Sequence, residues 1–288
     1  MGEHKKGLWI TTIGVLFVVP DSLFIRMIDA TAWTVTFWRG ILSGLIVLLV
    51  VAIFMGRKPF YESFQTGYSG LIYTVLIALS APSFVLAIKL TSVANVVLII
   101  ASMPVFAAIF SRLFLGEPIT RRMVLTIIGV FLGLSIVAFG SSVNEQASWQ
   151  GDLVAVCVSA SFAGAMTAAR KLRAVSMVPA IPVAYVLGAL MVAPFAEPLS
   201  AFYAQPTLIL LHGSFIACSS VFLTLGPRYI SSAEVALLIL LETALAPLLV
   251  WAVIGEYPGQ WALIGGTIII SVLVASNILV LRQIGRRR

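Results

Sequence analysis

The sequence predicts an all-α integral membrane protein of ten transmembrane helices, arranged as two inverted five-helix repeats. Three observations lead to this fold class. Apolar residues make up 60% of the 288 residues, charged residues only 10%, and the mean hydropathy is +1.09, whereas about 25% of residues are charged in soluble domains. Long apolar runs recur along the chain, and one long segment of the first half has a counterpart in the second.

Windows of about 20 apolar residues, the length that crosses a bilayer as a helix, predict ten spans. Period-2 alternation is absent, so helices rather than barrel strands satisfy the backbone in lipid. The predicted spans are Leu8 to Phe24, Ala32 to Phe54, Gly70 to Ile88, Ser92 to Leu115, Met123 to Gly140, Leu153 to Ala169, Val178 to Phe195, Thr207 to Leu225, Ala233 to Ile254 and Trp261 to Leu281.

Lysine and arginine residues are unevenly distributed between the two sides of these spans. If the N-terminus is cytoplasmic, only Arg26 and Lys89 fall on the outer side. The cytoplasmic segments then hold Lys5, Lys6, Arg57, Lys58, Arg121, Arg122, Arg170, Lys171, Arg173, Arg228, Arg282 and Arg286 to Arg288, with Arg112 just inside a span. The positive-inside rule therefore predicts an even number of spans in the cell (inner) membrane, with both termini cytoplasmic. Because this asymmetry explains the net charge of +7, we expect membrane lipids as partners and no nucleic acid.

The segment from Ser92 to Glu117 aligns without gaps with the segment from Ser231 to Glu256. Both segments end in Gly-Glu, and a proline follows soon after each. This predicts a duplication, with residues 1–145 as the first repeat and 146–288 as the second. Since each repeat has five spans, the second is inverted relative to the first. Such a pair can rock and expose a central site to each side in turn.

Several short motifs occur in a fixed order along these spans. They are Phe37-Trp38-Arg39-Gly40, Ser92-Val93-Ala94-Asn95, Leu115-Gly116-Glu117, Glu242-Thr243-Ala244-Leu245-Ala246-Pro247 and Gly255-Glu256. With this order and spacing, the chain resembles the drug/metabolite transporter superfamily, EamA-type, over essentially its whole length. The resemblance implies two EamA-like five-helix repeats and secondary transport of small organic solutes, often export of amino acids or related metabolites. It does not identify the solute.

Glu242 is the first candidate for a binding residue, because it places a carboxylate in the middle of an apolar run. With helix entry near Ser232, its side chain lies ~15 Å deep, close to the bilayer midplane. An intramembrane carboxylate tends to bind a proton unless a cation compensates it, so Glu242 could exchange a proton for substrate or for a cation. The alternative is a buried structural carboxylate.

Arg39 reaches a similar depth, ~13 Å from the outer face. We expect it to pair with Glu242 across the central cavity. Alternatively, Arg39 binds a substrate carboxylate directly, or it only joins two helices, since a buried charge needs a partner whatever its role.

Three further residues are weaker candidates for the same site. Asp21 follows Pro20 in the first span and either lines the entrance or forms a solvated helix end, the second being favoured. His212 could titrate near neutral pH, although a lone histidine is more often a hydrogen-bonded packing residue. Trp38 could form a wall of the cavity, but it and the adjacent Arg39 cannot both point straight inward.

Other polar and small residues are assigned structural roles. Asn95 and Glu234 fit helix starts, and the prolines Pro82, Pro104 and Pro247 predict kinks or hinges. The pairs Gly40/Gly44 and Gly129/Gly133 predict close helix packing, either within the monomer or between monomers of a homodimer.

The residue inventory argues against an enzyme, because the chain lacks His-Glu-x-x-His, Gly-x-Ser-x-Gly and glycine-rich phosphate-loop motifs. We therefore expect no cofactor, no metal and no ATP drive. A passive channel or facilitator is the main alternative to a carrier. It would be expected to show rings of like charge or carbonyl filters, whereas this chain has one asymmetric pair of intramembrane charges.

Overall fold

Helices begin and end close to the polar residues that separate the apolar runs. The structure is a computed structural model that describes residues 3–56, 58–116, 118–119, 121–141, 147–172, 175–225, 229 and 232–285. Within these residues the regular structure is helical throughout. Several residues named above lie outside them: Arg57, Glu117, Arg173, Arg228, Ser231 and the Arg286 to Arg288 tail.

The helices in chain order are α1 (Glu3–Val18), α2 (Asp21–Met27), α3 (Ala32–Phe54), α4 (Lys58–Phe64), α5 (Gly67–Leu90), α6 (Val93–Ile100), α7 (Met103–Leu115), α8 (Arg121–Ser141), α9 (Trp149–Lys171), α10 (Ala180–Val192), a 3-10 turn (Ala193–Phe195), α11 (Pro198–Ala204), α12 (Pro206–Leu225), α13 (Ser232–Ile254) and α14 (Gln260–Gly285).

Seven helical segments of the described chain are long and apolar enough to cross a membrane. They are Lys5–Met27, Ala32–Phe54, Gly67–Leu90, Val93–Leu115, Arg121–Gly140, Trp149–Ala169 and Pro206–Leu223. Ala180–Phe195 and Pro198–Ala204, bent by 101°, form an eighth if they are one span. Shorter apolar stretches, Leu241–Ile254 and Gln260–Ser276, lie within α13 and α14. The chain is thus an all-helical, multi-pass membrane protein.

Two of the predicted spans are broken inside the bundle. The first is interrupted at Val19 and Pro20, so that Asp21 begins a new helix. The fourth is interrupted at Ala101 and Ser102, just before Pro104 in the first turn of α7. Proline lacks a backbone N–H and is tolerated best in a first helical turn. By contrast, Pro82 and Pro247 lie within helices that continue past them.

Helix packing joins the two halves of the chain throughout. Helix α5 packs along α9, and α1 packs along α12; α3 contacts α12, and α10 contacts α5. The pairs α3/α10 and α8/α14 also lie side by side. The largest buried apolar cluster includes Ile25, Ile88, Val158 and Val250, so residues of both halves pack together in it.

The predicted glycine pairs lie at contacts within the chain. A Cβ added to Gly40 would lie 2.7 Å from the carbonyl oxygen of Tyr185, and one added to Gly133 would lie 2.8 Å from the carbonyl oxygen of Gly265. Gly40 and Gly44 therefore allow α3 to approach α10, while Gly129 and Gly133 allow α8 to approach α14. Of the two alternatives, packing within the monomer is the one that the structure contains.

The contact at Gly40 gives a first prediction. Gly40→Val should destabilise the folded protein by about 1–3 kcal/mol, because the new side chain meets backbone atoms of α10 that cannot move aside. The matched control is Ala52→Val on the exposed side of the same helix. Thermal unfolding in detergent should separate the two variants; equal melting temperatures would show that α3 and α10 are less closely packed than described.

Candidate functional site

A buried ion pair between Asp21 and Arg39 lies at the centre of the candidate site. Arg39 Nη2 donates to Asp21 Oδ2 at 2.7 Å, and Arg39 Nε donates to Oδ1 at 3.1 Å. The two side chains are only 3% and 11% exposed. Asp21 reaches this position because the break at Pro20 starts α2 inside the bundle. The favoured prediction of a solvated helix end was wrong for Asp21.

His212 contacts the same carboxylate from the other half of the chain. Its Nε2 lies 2.6 Å from Asp21 Oδ1, and its side chain is 1% exposed. Because an ionised carboxylate only accepts hydrogen bonds, the Nε2 atom carries a proton in this arrangement. The imidazole also stacks on Phe24, with 5.6 Å between ring centroids. His212 is therefore a hydrogen-bonded, packed residue, and it belongs to the same polar cluster as Asp21.

Glu242 lies on α13, which packs against α2. The residue is partly buried, and the helix that it faces through this contact, α2, begins with Asp21. Among the residues that the structure describes, Glu242 has no hydrogen-bond or ion-pair partner. The expected direct pairing of Arg39 with Glu242 was wrong, because Arg39 uses two of its nitrogens to bind Asp21 instead.

Two further hydroxyl groups join α10 to α12, and neither was among the predicted site residues. Tyr185 Oη and Ser220 Oγ lie 2.7 Å apart, and the Tyr185 carbonyl oxygen packs against Gly40, the residue after Arg39. The available signal for Tyr185 was a tyrosine within the apolar seventh span. We call Asp21, Arg39, His212 and Glu242 the central cluster, which combines two carboxyl groups, a guanidinium and an imidazole.

Trp38 faces a different part of the molecule from its neighbour Arg39. Its Nε1 donates to the carbonyl oxygen of Pro198 at 2.9 Å, and its ring packs on Phe202 with 4.8 Å between centroids. Trp38 therefore fixes the short helix α11 against α3. Its indole is not part of the contacts around Asp21.

A second polar cluster lies at the end of the bundle that contains the predicted outer connections. Arg26 Nε lies 2.9 Å from Glu256 Oε2, and Arg26 Nη2 donates to the Thr91 carbonyl oxygen at 2.7 Å. Glu256 Oε1 also accepts a hydrogen bond from the Val93 N–H, at the start of α6, at 2.8 Å. We call Arg26, Glu256, Thr91 and Val93 the end latch. A cavity of about 330 Å³ adjoins it, lined by Arg26, Ile254, Gly255 and Glu256.

Asn95 has a different role from the predicted helix start. Ser92 is the N-cap of α6 and accepts a hydrogen bond from the Asn95 N–H at 3.2 Å. The Asn95 side chain instead donates to Asp152 Oδ1 at 3.2 Å, and Thr91 Oγ1 donates to the same oxygen at 2.9 Å. These bonds join α9 of the second half to the junction of α5 and α6. The side chain of Glu234, the residue matched with Asn95, lies outside the described set.

The central cluster brings several ionisable side chains together inside the bundle. Within the described residues, no group of three or more His, Cys, Asp or Glu side chains is arranged to hold a metal ion. An intramembrane group of charges drawn from several helices is typical of a pathway for solutes or ions. Such a group can hold a charged ligand or exchange a proton.

Comparison with known proteins shows a sequence similarity to one family and a shared fold. Residues 5–139 match the sequence model of the EamA-like transporter family, as the motifs in the first half of the chain predicted. The motifs from Glu242 to Glu256 lie outside the matched residues. Seventeen chains of solved structures match this chain. One of them, a crystal structure, superposes with a TM-score of 0.66 at 15% identity, covering 97% of this chain and 99% of the other, and so shares its fold. No curated protein matches the sequence. The chain is therefore an all-helical, multi-pass membrane protein whose residues 5–139 are similar in sequence to the EamA-like transporter family.

Proposed function

We propose that this protein is a secondary transporter that exports a small organic metabolite, an amino acid or a related compound, across the cytoplasmic membrane by alternating access. The observation that carries the proposal is the Glu242 carboxylate without a described partner, beside the buried pair of Asp21 and Arg39. Asp21 and Arg39 belong to the first half of the chain, whereas His212 and Glu242 belong to the second. A site built between two halves can change its exposure when the halves move.

The pattern of helix contacts supports ten spans in two inverted repeats. The five spans of the first repeat are then α1 with α2, α3, α5, α6 with α7, and α8. Their counterparts in the second repeat are, in the same order, α9, α10, α12, α13 and α14. If each helix is exchanged for its counterpart, the contact between α5 and α9 becomes the contact between α12 and α1, and both are present. In the same way, the contact between α3 and α12 becomes the contact between α10 and α5. The pairs α3/α10 and α8/α14 join equivalent helices. A contact map that is unchanged by this exchange is expected of two repeats related by a pseudo-twofold axis.

The ends of the two aligned segments add local support for the duplication. Gly116 ends α7 with φ +71°, and Gly255 follows α13 with φ +75°. The Gly116 N–H donates to the carbonyl oxygen of Ser111, and the Gly255 N–H donates to the carbonyl oxygen of Trp251. This left-handed conformation favours glycine, so both copies terminate their helix in the same way.

Contacts among the predicted outer connections support their placement on the same side of the membrane. Arg26 meets Glu256, the Asp29 N–H donates to Gln205 Oε1, and Lys89 Nζ donates to the Ile28 carbonyl oxygen. All of these residues fall on the outer side in the positive-inside assignment. The end latch would then close the outer end, and both termini would lie in the cytoplasm.

Glu242 provides the test of this function, because it is the proposed site of proton coupling. In membrane vesicles with an imposed pH gradient, the wild type should accumulate or release its solute faster than in the absence of a gradient. Glu242→Gln should remove that dependence on the gradient, since glutamine cannot exchange a proton. The solute is found by profiling metabolites in cells that express the wild type.

Glu62→Gln is the matched control, because it neutralises an exposed carboxylate on α4 that only faces Lys58. Equal protein levels of the variants in the membrane exclude a folding defect. If Glu242→Gln retains gradient-driven flux, proton coupling at Glu242 is wrong. Flux that follows only the solute gradient in the wild type would favour a passive facilitator.

A further inference from the structure

Of the two carboxyl groups of the central cluster, only Glu242 lacks a partner among the described residues. Asp21 is fully engaged, because Oδ1 accepts from Arg39 Nε and contacts His212, and Oδ2 accepts from Arg39 Nη2. Arg39 and Asp21 therefore neutralise each other. The Glu242 carboxylate remains, and it has no hydrogen-bond or ion-pair partner in the described part of the chain.

The pair of Asp21 and Arg39 is poorly placed to exchange partners with a ligand. Phe84 lies under the guanidinium, with 5.7 Å from Arg39 Cζ to the ring centroid, and Phe24 covers His212. Removing Asp21 from Arg39 would leave a carboxylate and a guanidinium unpaired among buried aromatic rings, which is strongly unfavourable. A substrate carboxylate would have to displace Asp21 to reach Arg39.

Glu242 differs from this pair because it is only partly buried, and its carboxyl oxygens have no hydrogen-bond partner among the described residues. A carboxylate inside a membrane protein is stable when a proton or a cation compensates it. A primary ammonium group supplies a positive charge and three hydrogen-bond donors.

We propose that Glu242 binds the ammonium group of an amine-bearing substrate, and that this ammonium, rather than a carboxylate, is the group that the central cluster recognises. The inference rests on the proposed transport function and specifies its substrate class. Amines and zwitterionic amino acids would then be ligands, whereas the corresponding acids without an amine would not. The pair of Asp21 and Arg39 would stay closed when the ligand binds.

The test uses a panel of molecules that share a side chain and differ in their charged groups. It contains alanine, leucine and phenylalanine, the amine formed from each by decarboxylation, and the acid that lacks the amino group of each. Binding to the purified full-length protein is measured as protection against thermal unfolding over a range of concentrations. We expect protection by amino acids and by amines of the accepted side chain, and none by the acids.

Glu242→Gln should weaken the protection by amines at least about tenfold, since it removes the charged partner of the ammonium group. Glu62→Gln should leave the protection unchanged. Protection by acids alone, protection by amines that Glu242→Gln does not weaken, or a lack of protection by every amine would each overturn the inference. Solute flux in vesicles separates this failure from failure of the transport proposal, because a carrier of acids would still show flux.

Discussion

Asp21→Asn should lose most of its transport activity and should also unfold at a lower temperature than the wild type. The substitution leaves the Arg39 guanidinium buried without its counter-charge, and it replaces one of the two oxygens that face Arg39 and His212 by an NH2 group, which cannot accept a hydrogen bond. Breaking one partner of a buried ion pair typically costs roughly 3–5 kcal/mol. Thermal unfolding in detergent and solute flux in vesicles measure the two effects.

Two additional variants separate stability from function. Asp21→Asn combined with Arg39→Gln removes both charges, so it should recover much of the stability, because a neutral pair costs far less to bury. It should not recover transport if the charges organise the site. Arg39→Lys should be intermediate in stability, because lysine keeps the charge but cannot make the two parallel bonds to Asp21.

Asp29→Asn is the control for these variants. Asp29 follows α2 on the same segment, but it is exposed, and its recorded hydrogen bond uses the backbone N–H. Its variant should therefore unfold and transport like the wild type. If Asp21→Asn also melts at the wild-type temperature, the ion pair contributes little to the fold, and the account of the central cluster is wrong.

Much of the helical architecture was predictable because apolar run length and capping residues are local properties. The span predicted from Ala32 to Phe54 is the observed α3, with Thr31 as its N-cap, whose hydroxyl accepts from the Thr34 N–H. The span predicted from Ser92 to Leu115 is interrupted at Ala101 and Ser102. Hydropathy cannot reveal such a break, since the apolar character continues through it.

The charged residues of the central cluster were found in the sequence, but their pairing was not. Depth along a helix could be counted for Arg39 and Glu242, and it indicated that both lie near the middle of the membrane. Which side chains meet depends on how helices are arranged around one another. His212 contacts Asp21 across 191 positions of the chain, a relation that no local pattern contains.

The bonds at the end of the bundle were missed for a similar reason. In the sequence, Asp152 and Glu256 lie in connections between apolar runs, where carboxylates are usually solvated. In the structure Asp152 is buried and bonded to Asn95 and Thr91. Glu256 is bonded to Arg26 and the start of α6. These hydrogen bonds form only when segments that are distant in the sequence are packed together, so no local pattern could predict them.

Reversing one charge of the end latch should have the second large effect. Arg26→Glu places two carboxylates together and removes the donor to the Thr91 carbonyl oxygen. We expect the predicted outer end to open, because like charges repel where an ion pair had joined α2 to the end of α13. A cysteine at Ala246 reports this opening, since Ala246 is 1% exposed and lies one turn from Glu242 toward the latch.

The labelling experiment uses Ala246→Cys in a background without the free cysteines Cys157 and Cys218. An impermeant maleimide applied from outside should react at least about tenfold faster in Arg26→Glu, the factor that corresponds to a shift of about 1.4 kcal/mol in the opening equilibrium. The double variant Arg26→Glu/Glu256→Arg should restore part of the protection. Restoration stays partial because arginine at position 256 cannot accept from the Val93 N–H.

Glu197→Gln, which changes an exposed carboxylate at the same end of the bundle, should leave the labelling rate unaltered. Faster labelling in this control would indicate a general response to lost negative charge. Equal rates for Arg26→Glu and the parent would mean that the latch does not hold this end closed. The experiment measures how accessible the cysteine is and does not measure flux. A variant that labels faster but no longer transports therefore still supports the proposal that the end latch holds the outer end closed. Loss of transport in that variant then indicates that both conformations of the outer end are needed in the cycle.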